Sequence, residues 1–310
     1  MALDPQLLPF VEQLKKMWPE PPLTLPVQVW RDRVETLSAA SRPPYPEGLA
    51  VDDRMVDGFG PRPVKVRVYR PRSDRPLPAL VYMHGGGWTI GSIDSHDSVT
   101  ASLAADTPCV VISVDYARAP ENPFPAAMED CKSAVSWTFA NASSLGINPE
   151  AIAVGGDSAG GNLSAAMTLA FRSGPERIRG QLLIYPAVDV DFSRPTFISE
   201  ANAPYMTAQE MIWFWKQYCP TDESRKDPLA VPMRESDLKG LPRAFVVVAE
   251  HDTLRDEGKA YAYRLKEAGV DVIYRPGTGL IHGFLRTRKF CDAAQAEHLA
   301  MTQWLRDLDK

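Results

Sequence analysis

The sequence predicts an α/β fold with a mostly parallel central sheet flanked by helices, and three observations carry that prediction. Short continuous apolar runs recur at 79–83, 110–114, 151–154, 182–185 and 245–248. They are short for helices and have no wet face, which is how strands buried on both sides of a parallel sheet read. Stretches of helical character lie between them, at about 95–106, 125–142, 158–173, 255–268 and 291–308. Strand, helix, strand, helix implies right-handed crossovers between parallel strands. The third observation is an interruption. About 55 residues pass after Tyr185-Pro186 before the next strand.

The N-terminal 50 residues differ in pattern from the rest of the chain. Leu7, Leu8, Val11, Leu14 and Met17 repeat at helical spacing, and Pro19, Pro21, Pro22 and Pro26 then interrupt. A second amphipathic stretch covers about 27–37, and Pro43, Pro44 and Pro46 close the segment. The reading is one or two helices laid on a main domain that occupies 51–310. Val64, Val66 and Val68 alternate with Lys65, Arg67 and Tyr69. That period of two marks a strand with one wet face, antiparallel and near a sheet edge. Residues 270–274 allow one more strand. The interruption, at about 187–240, contains Thr207-Ala208-Gln209-Glu210, a capping-box pattern, ahead of Met211, Ile212, Phe214 and Trp215. It reads as a helical excursion above the sheet, a second part of a cap.

Composition narrows the function classes. Apolar residues are 45% and charged residues 24%, so a disordered or fibrous chain is excluded. Lys+Arg number 34 against 39 Asp+Glu, a net charge of −5, and nucleic acid is not an expected partner. Cys109, Cys131, Cys219 and Cys291 stand far apart, without metal-ligand spacing, and read as buried thiols in a reducing compartment. The N-terminus has no basic stretch followed by an apolar run, and no apolar run is long enough for a bilayer. The expectation is a cytoplasmic protein without stable membrane insertion.

Two motifs carry chemistry. Gly156-Asp157-Ser158-Ala159-Gly160 fits G-x-S-x-G, behind a strand and ahead of a helix. A tight turn there forces Ser158 into a strained conformation and crowds its neighbours, which is why they are glycines. The turn lifts the serine hydroxyl above the sheet, and the helix N-terminus favours negative charge beside it. The second motif is His84-Gly85-Gly86-Gly87-Trp88, after the strand at 79–83. Consecutive glycines expose backbone N–H groups that can meet a developing oxyanion. The expected donors are two of Gly85, Gly86 and Gly87, together with Ala159. His84 is expected to orient this loop.

A serine on such an elbow needs a base and an acid, and these follow it in the order Ser, acid, His. Of five histidines, His84 belongs to the glycine loop. His96 reads as a surface or capping residue, His298 as a surface residue of the last helix, and His251 as structural. His282, in Leu280-Ile281-His282-Gly283-Phe284, follows the last strand and is the expected base. Glu250, Asp252 and Asp256 are candidates for the acid, just past the strand at 245–248. Asp252 is favoured because it lies on the loop past the strand end, where it can hold the imidazole tautomer.

These residues together resemble the hormone-sensitive-lipase-like family of α/β-hydrolases, also called bacterial esterase family IV. The likeness rests on 84–88, on Asp115-Tyr116 with Ala119-Pro120-Glu121, on Phe124-Pro125-Ala126-Ala127 with Glu129-Asp130, and on 155–162. Asp252 with Leu254-Arg255-Asp256, and His282-Gly283-Phe284, complete it. Family members usually carry Tyr-Arg-Leu-Ala-Pro-Glu, where Ala117 and Arg118 stand here, and Asp-Pro-Leu, where Thr253 stands here. The resemblance implies an α/β-hydrolase fold with a helical cap. It also implies a cofactor-free serine carboxylesterase acting on small esters of short to medium chain length. An amidase or formamidase on the same triad is the alternative, and a ligand-binding receptor on the same scaffold a more distant one. Trp88, Tyr205 and Phe214 are expected to line the substrate pocket, and no metal is expected. The oligomeric state is left at monomer or homodimer.

Overall fold

The computed structural model describes residues 2–18, 22–40, 42–58, 60 and 62–310. Pro19 and Pro21, two of the expected helix breaks, lie outside the described residues. The chain opens with α1 (Leu8–Met17) and α2 (Val27–Ala40). Helix α1 turns Val11 and Leu14 inward, and Leu7 in the preceding 3-10 turn is fully buried. Leu8, part of the expected stripe, is instead exposed.

The body follows as β1 (Leu49–Val56), β2 (Val64–Pro71), β3 (Leu77–Met83), α3 (Asp97–Asp106), β4 (Val110–Asp115), α4 (Ala126–Ala140), α5 (Ala142–Leu145), β5 (Ile147–Asp157), α6 (Ala159–Ala170) and β6 (Gly180–Ile184). The helical excursion holds α7 (Pro195–Ser199) and α8 (Ala208–Tyr218). Then come β7 (Arg243–Val247), α9 (Arg255–Glu267), β8 (Val272–Arg275) and α10 (Asp292–Arg306). The capping box ahead of α8 is formed: the Thr207 hydroxyl accepts from Glu210 N at 3.2 Å, and the Glu210 carboxylate accepts from Thr207 N at 2.7 Å.

The eight strands make one sheet in the order β1-β2-β4-β3-β5-β6-β7-β8. The pairs β1–β2 and β2–β4 are antiparallel and all the others parallel. Strand β2 is antiparallel, as its alternation predicts, but it lies one place in from the edge. The edge strand is β1, which the sequence pattern does not reveal. Its middle is Asp52-Asp53-Arg54, a charged stretch without apolar alternation. Asp53 finds partners across the pair, Arg67 at 2.7 Å and Lys65 at 2.9 Å, while Asp52 and Arg54 pair with each other. A charged edge also discourages pairing with another chain.

The strands are apolar on both faces because both faces are covered. Ala79, Val81 and Met83 of β3 enter a core shared with α4, α6 and α8, whereas Leu80 and Tyr82 enter a second core shared with α3 and α10. The N-terminal helices meet the excursion through aromatic rings. Trp30 of α2 lies 5.1 Å from Phe214 and 5.6 Å from Trp213 of α8, centroid to centroid. Phe10 of α1 stacks on Tyr205 at 6.4 Å. Among the described residues no helix is long and apolar enough to cross a membrane. The four cysteines are buried and form no disulfide.

Candidate active site

The site lies where open α/β sheets bind ligands, beyond the carboxyl ends of the parallel strands. Strand β5 ends at Asp157 and α6 begins at Ala159, so Ser158 alone makes the turn, with φ 56° and ψ −118°. A non-glycine residue at such angles costs on the order of 1–3 kcal/mol and persists only where the surroundings hold it. Here Ser158 N donates to Ile184 O at 2.9 Å, and Ser158 O accepts from Asn162 N at 3.1 Å and Ala187 N at 3.2 Å. The flanking glycines are required by contact. A Cβ on Gly156 would stand 2.2 Å from the Met83 carbonyl oxygen, and one on Gly160 only 1.9 Å from it. Gly160→Ala should therefore cost about 1–3 kcal/mol or more, as overpacking of a close-packed interior does. The check is a lower urea midpoint at unchanged slope.

The three side chains singled out in the sequence come together. Ser158 Oγ lies 3.0 Å from His282 Nε2, and His282 Nδ1 lies 2.6 Å from Asp252 Oδ2. A short parallel bridge between His251 and Ile281, with His251 N donating to Leu280 O at 2.9 Å, aligns the two loops. The next residue on each loop is Asp252 and His282, so the bridge sets them side by side. Asp252 is fully buried, and its Oδ1 accepts from Leu254 N at 2.9 Å. The other two acids face elsewhere. Glu250 accepts from Gly279 N at 2.8 Å, and Asp256 from Thr196 N at 3.2 Å. The site is nearly closed over, with Ser158 4% and His282 3% exposed.

Glu257, in the first turn of α9, was not singled out in the sequence and supports the serine turn from below. It is fully buried, and its Oε1 accepts from Val188 N at 2.8 Å and Asp189 N at 3.2 Å. Burial pushes its carboxyl well above the ordinary glutamate range. The adjoining Ala187 is one of the two donors that hold Ser158 O. Arg31 of α2 was also missed. It donates to Thr89 O and Ala119 O, each at 2.8 Å, and pairs with Glu121 at 2.7 Å. This ties the N-terminal helices to the segment just past Trp88. No local pattern marks either residue, because their partners are distant in the chain.

The glycine loop departs from expectation at two points. Gly85 N donates to Asp157 Oδ1 at 3.0 Å. An amide has one hydrogen to give, so the expectation of Gly85 as an oxyanion donor is corrected, and Gly86 and Gly87 remain. Trp88 is corrected as a pocket residue. It has no exposed surface and packs against Trp215 at 4.5 Å and Tyr218 at 4.4 Å, anchoring the loop to α8. Phe214 lies directly over Gly87, where a Cβ would stand 2.2 Å from its ring. Tyr205 is 42% exposed, lies against Gly283, and has its ring 6.2 Å from that of His282.

His84 stacks on Tyr116 at 4.2 Å, and its Nδ1 faces Gly85 O at 2.8 Å. Burial pushes its imidazole down to about 3, so the ring is neutral and holds the loop by hydrogen bonding. His251 contributes its backbone to the bridge. His96 is not a surface residue: it is buried, with Nδ1 3.0 Å from Ser95 Oγ and Nε2 3.5 Å from Asp157 Oδ2. His298 is also buried rather than exposed, because it falls on the inner face of α10, where Nε2 meets Asp106 at 2.8 Å. Among the described residues no cluster of three or more His, Cys, Asp or Glu could hold a metal ion.

The chain is similar to known proteins over most of its length. A sequence profile described as the α/β hydrolase fold matches residues 80–286. The chain is similar to the carboxylesterase NlhH of Mycobacterium tuberculosis, 41% identical over 266 residues that cover 84% of this chain and 82% of the relative. It is similar to an ethyl acetate hydrolase of Pseudomonas putida, 38% identical over 234 residues, 74% of each chain. Among solved structures it matches a hyperthermophilic esterase from the archaeon Pyrobaculum calidifontis with a TM-score of 0.90 and 37% identity, over 100% of this chain and 99% of that one. With the eight-stranded sheet and the serine turn in place, this chain belongs to the hormone-sensitive-lipase-like family of α/β-hydrolases and is a carboxylic ester hydrolase.

Proposed function

We propose that the protein hydrolyses short- to medium-chain carboxylic esters by a two-step acyl transfer on Ser158. The observation that carries this reading is the unbroken line from Ser158 Oγ to His282 Nε2, 3.0 Å, and from His282 Nδ1 to Asp252 Oδ2, 2.6 Å. His282 takes the hydroxyl proton as Ser158 attacks the ester carbonyl. The carbonyl oxygen becomes an oxyanion and is met by the N–H groups of Gly86, Gly87 and Ala159. The imidazolium, steadied by Asp252, returns its proton to the leaving alcohol, and water then releases the acid from the acyl-enzyme by the same steps.

The N-terminal residues 1–50 and the excursion at about 187–240 form the cap over a catalytic body at 51–310. The aromatic contacts of Trp30 with α8 and of Phe10 with Tyr205 support this division. Phe214 and Tyr205 are the pocket residues. A small pocket suits the nearly enclosed serine, and the ethyl acetate hydrolase among the relatives acts on an ester with two short chains. The test is a series of p-nitrophenyl esters from acetyl to palmitoyl beside the matching anilides. Turnover should peak at a short or medium chain and collapse by palmitoyl, with anilides cleaved far more slowly. Anilides cleaved as fast as esters would overturn the ester reading in favour of an amidase.

A further inference from the structure

Asp157 occupies a position of the serine turn on which the turn's own sterics make no demand, yet it carries a charge. The turn itself requires only small neighbours at Gly156 and Gly160. A carboxylate only 7% exposed, one residue from the nucleophile, is costly unless it is paired. Its Oδ1 accepts from the Tyr82 hydroxyl at 2.6 Å and from Gly85 N at 3.0 Å. Its Oδ2 faces His96 Nε2 at 3.5 Å, and the Arg286 guanidinium lies 3.2 Å from that same ring nitrogen. Burial by itself would raise the carboxyl pKa. The neighbouring His96 and Arg286 and the Tyr82 hydroxyl outweigh it and hold the group ionised, below the ordinary aspartate range.

The contact with the loop is tight, since a Cβ on Gly85 would stand 2.4 Å from Asp157 Oδ2. Just downstream, Gly86 O accepts from Thr89 N at 3.0 Å and Ile90 N at 2.9 Å. The loop is thus pinned on both sides of one peptide, at Gly85 N by the carboxylate and at Gly86 O by the next turn. The free conformational choices are those of Gly86 and Gly87, at φ 120° and 56°.

We propose that Asp157 is a positioning residue of the oxyanion hole: by taking up the Gly85 N–H, with Tyr82 and His96 behind it, it acts with His84 on Gly85 O to fix the peptide planes that aim the Gly86 and Gly87 N–H groups at the substrate oxygen. The proposal rests on the reading of Ser158 and the glycine loop given above. Donors fixed in advance act on the transition state, where charge develops, more than on the bound ester. The signature is therefore a loss in kcat with KM held.

The test uses Asp157→Ala and Asp157→Asn with p-nitrophenyl butyrate, and a trifluoromethyl ketone as inhibitor. Ser158 Oγ adds to the ketone carbon, its proton passes to His282, and the carbonyl oxygen becomes an oxyanion in the same hole. Asp157→Ala should lower kcat about 10²-fold, the scale of one lost oxyanion donor. KM should stay within about threefold and the ketone Ki should weaken in step with kcat. Asp157→Asn keeps an acceptor for Gly85 N and should restore both to within about tenfold of the wild type. A purely structural role would lower the folded fraction without changing kcat per titrated serine. Folded Asp157→Ala with wild-type kcat, or with kcat lost and ketone affinity intact, overturns the proposal. If the Ala variant does not fold, the Asn variant decides. Its rescue supports the proposal, and a folded Asn variant about 10³-fold slower overturns it. Failure of the underlying reading looks different, because wild-type enzyme would then not be titrated by a fluorophosphonate at one equivalent.

Discussion

Replacing Ser158 with alanine should lower kcat by about 10⁵-fold or more, the scale of losing a triad nucleophile. The hydroxyl is placed both on the strained turn, at φ 56°, and 3.0 Å from an imidazole nitrogen. Without it there is no acyl-enzyme, and the remaining rate is that of water attacking an ester held against the oxyanion donors. That remainder amounts to roughly 10³–10⁴ over the uncatalysed reaction. Substrate binding should persist, since removing the Oγ takes away only one small polar atom. The check is kcat and KM on the best p-nitrophenyl ester, with the pre-steady-state burst of nitrophenol lost together with fluorophosphonate labelling. A variant that keeps a burst or a tenth of the activity would remove Ser158 as the nucleophile.

Asp252→Asn should cost about 10⁴-fold in kcat while leaving the fold intact. The argument turns on which way the amide must face. Asp252 Oδ1 accepts from Leu254 N at 2.9 Å, so an asparagine keeps its oxygen there and turns its NH₂ toward His282. That NH₂ would donate to His282 Nδ1 where the carboxylate now accepts at 2.6 Å. The ring proton then moves to Nε2 and faces Ser158, and the base is occupied before the reaction starts. The substitution is isosteric, and thermal unfolding should change little beside the loss of turnover. Asp256→Asn is the companion variant. Its carboxylate serves Thr196 N, and activity should stay within about tenfold. Equal losses in the two variants would reassign the acid.

The parallel strands and their helices were legible because each is a local pattern. Continuous apolar runs such as 110–114 have no wet face only if both sides of the sheet are covered. The serine turn was legible as a short motif between a strand and a helix, although much of the steric demand on Gly156 and Gly160 comes from Met83 of another strand. His282 and Asp252 followed from chain order past the last strands. Strand β1 was not legible, because its charges read as loop until Arg67 and Lys65 of the neighbouring strand satisfy Asp53.

What tertiary structure alone decided is how polar groups distant in sequence share their hydrogen bonds. Gly85, Gly86 and Gly87 are equivalent as letters. Asp157, 72 residues on, takes the Gly85 N–H and so sets that glycine apart from the other two. Trp88 reads as pocket or core with equal ease until Trp215 and Tyr218 enclose it. His96, which does stand at the N-cap of α3, reads as a surface residue until Asp157 and Arg286 close around its ring. Hydrophobic period acts between near neighbours and is written along the chain. The allocation of one N–H to one acceptor depends on which groups the sheet and cap bring within about 3 Å, and only the folded chain determines that.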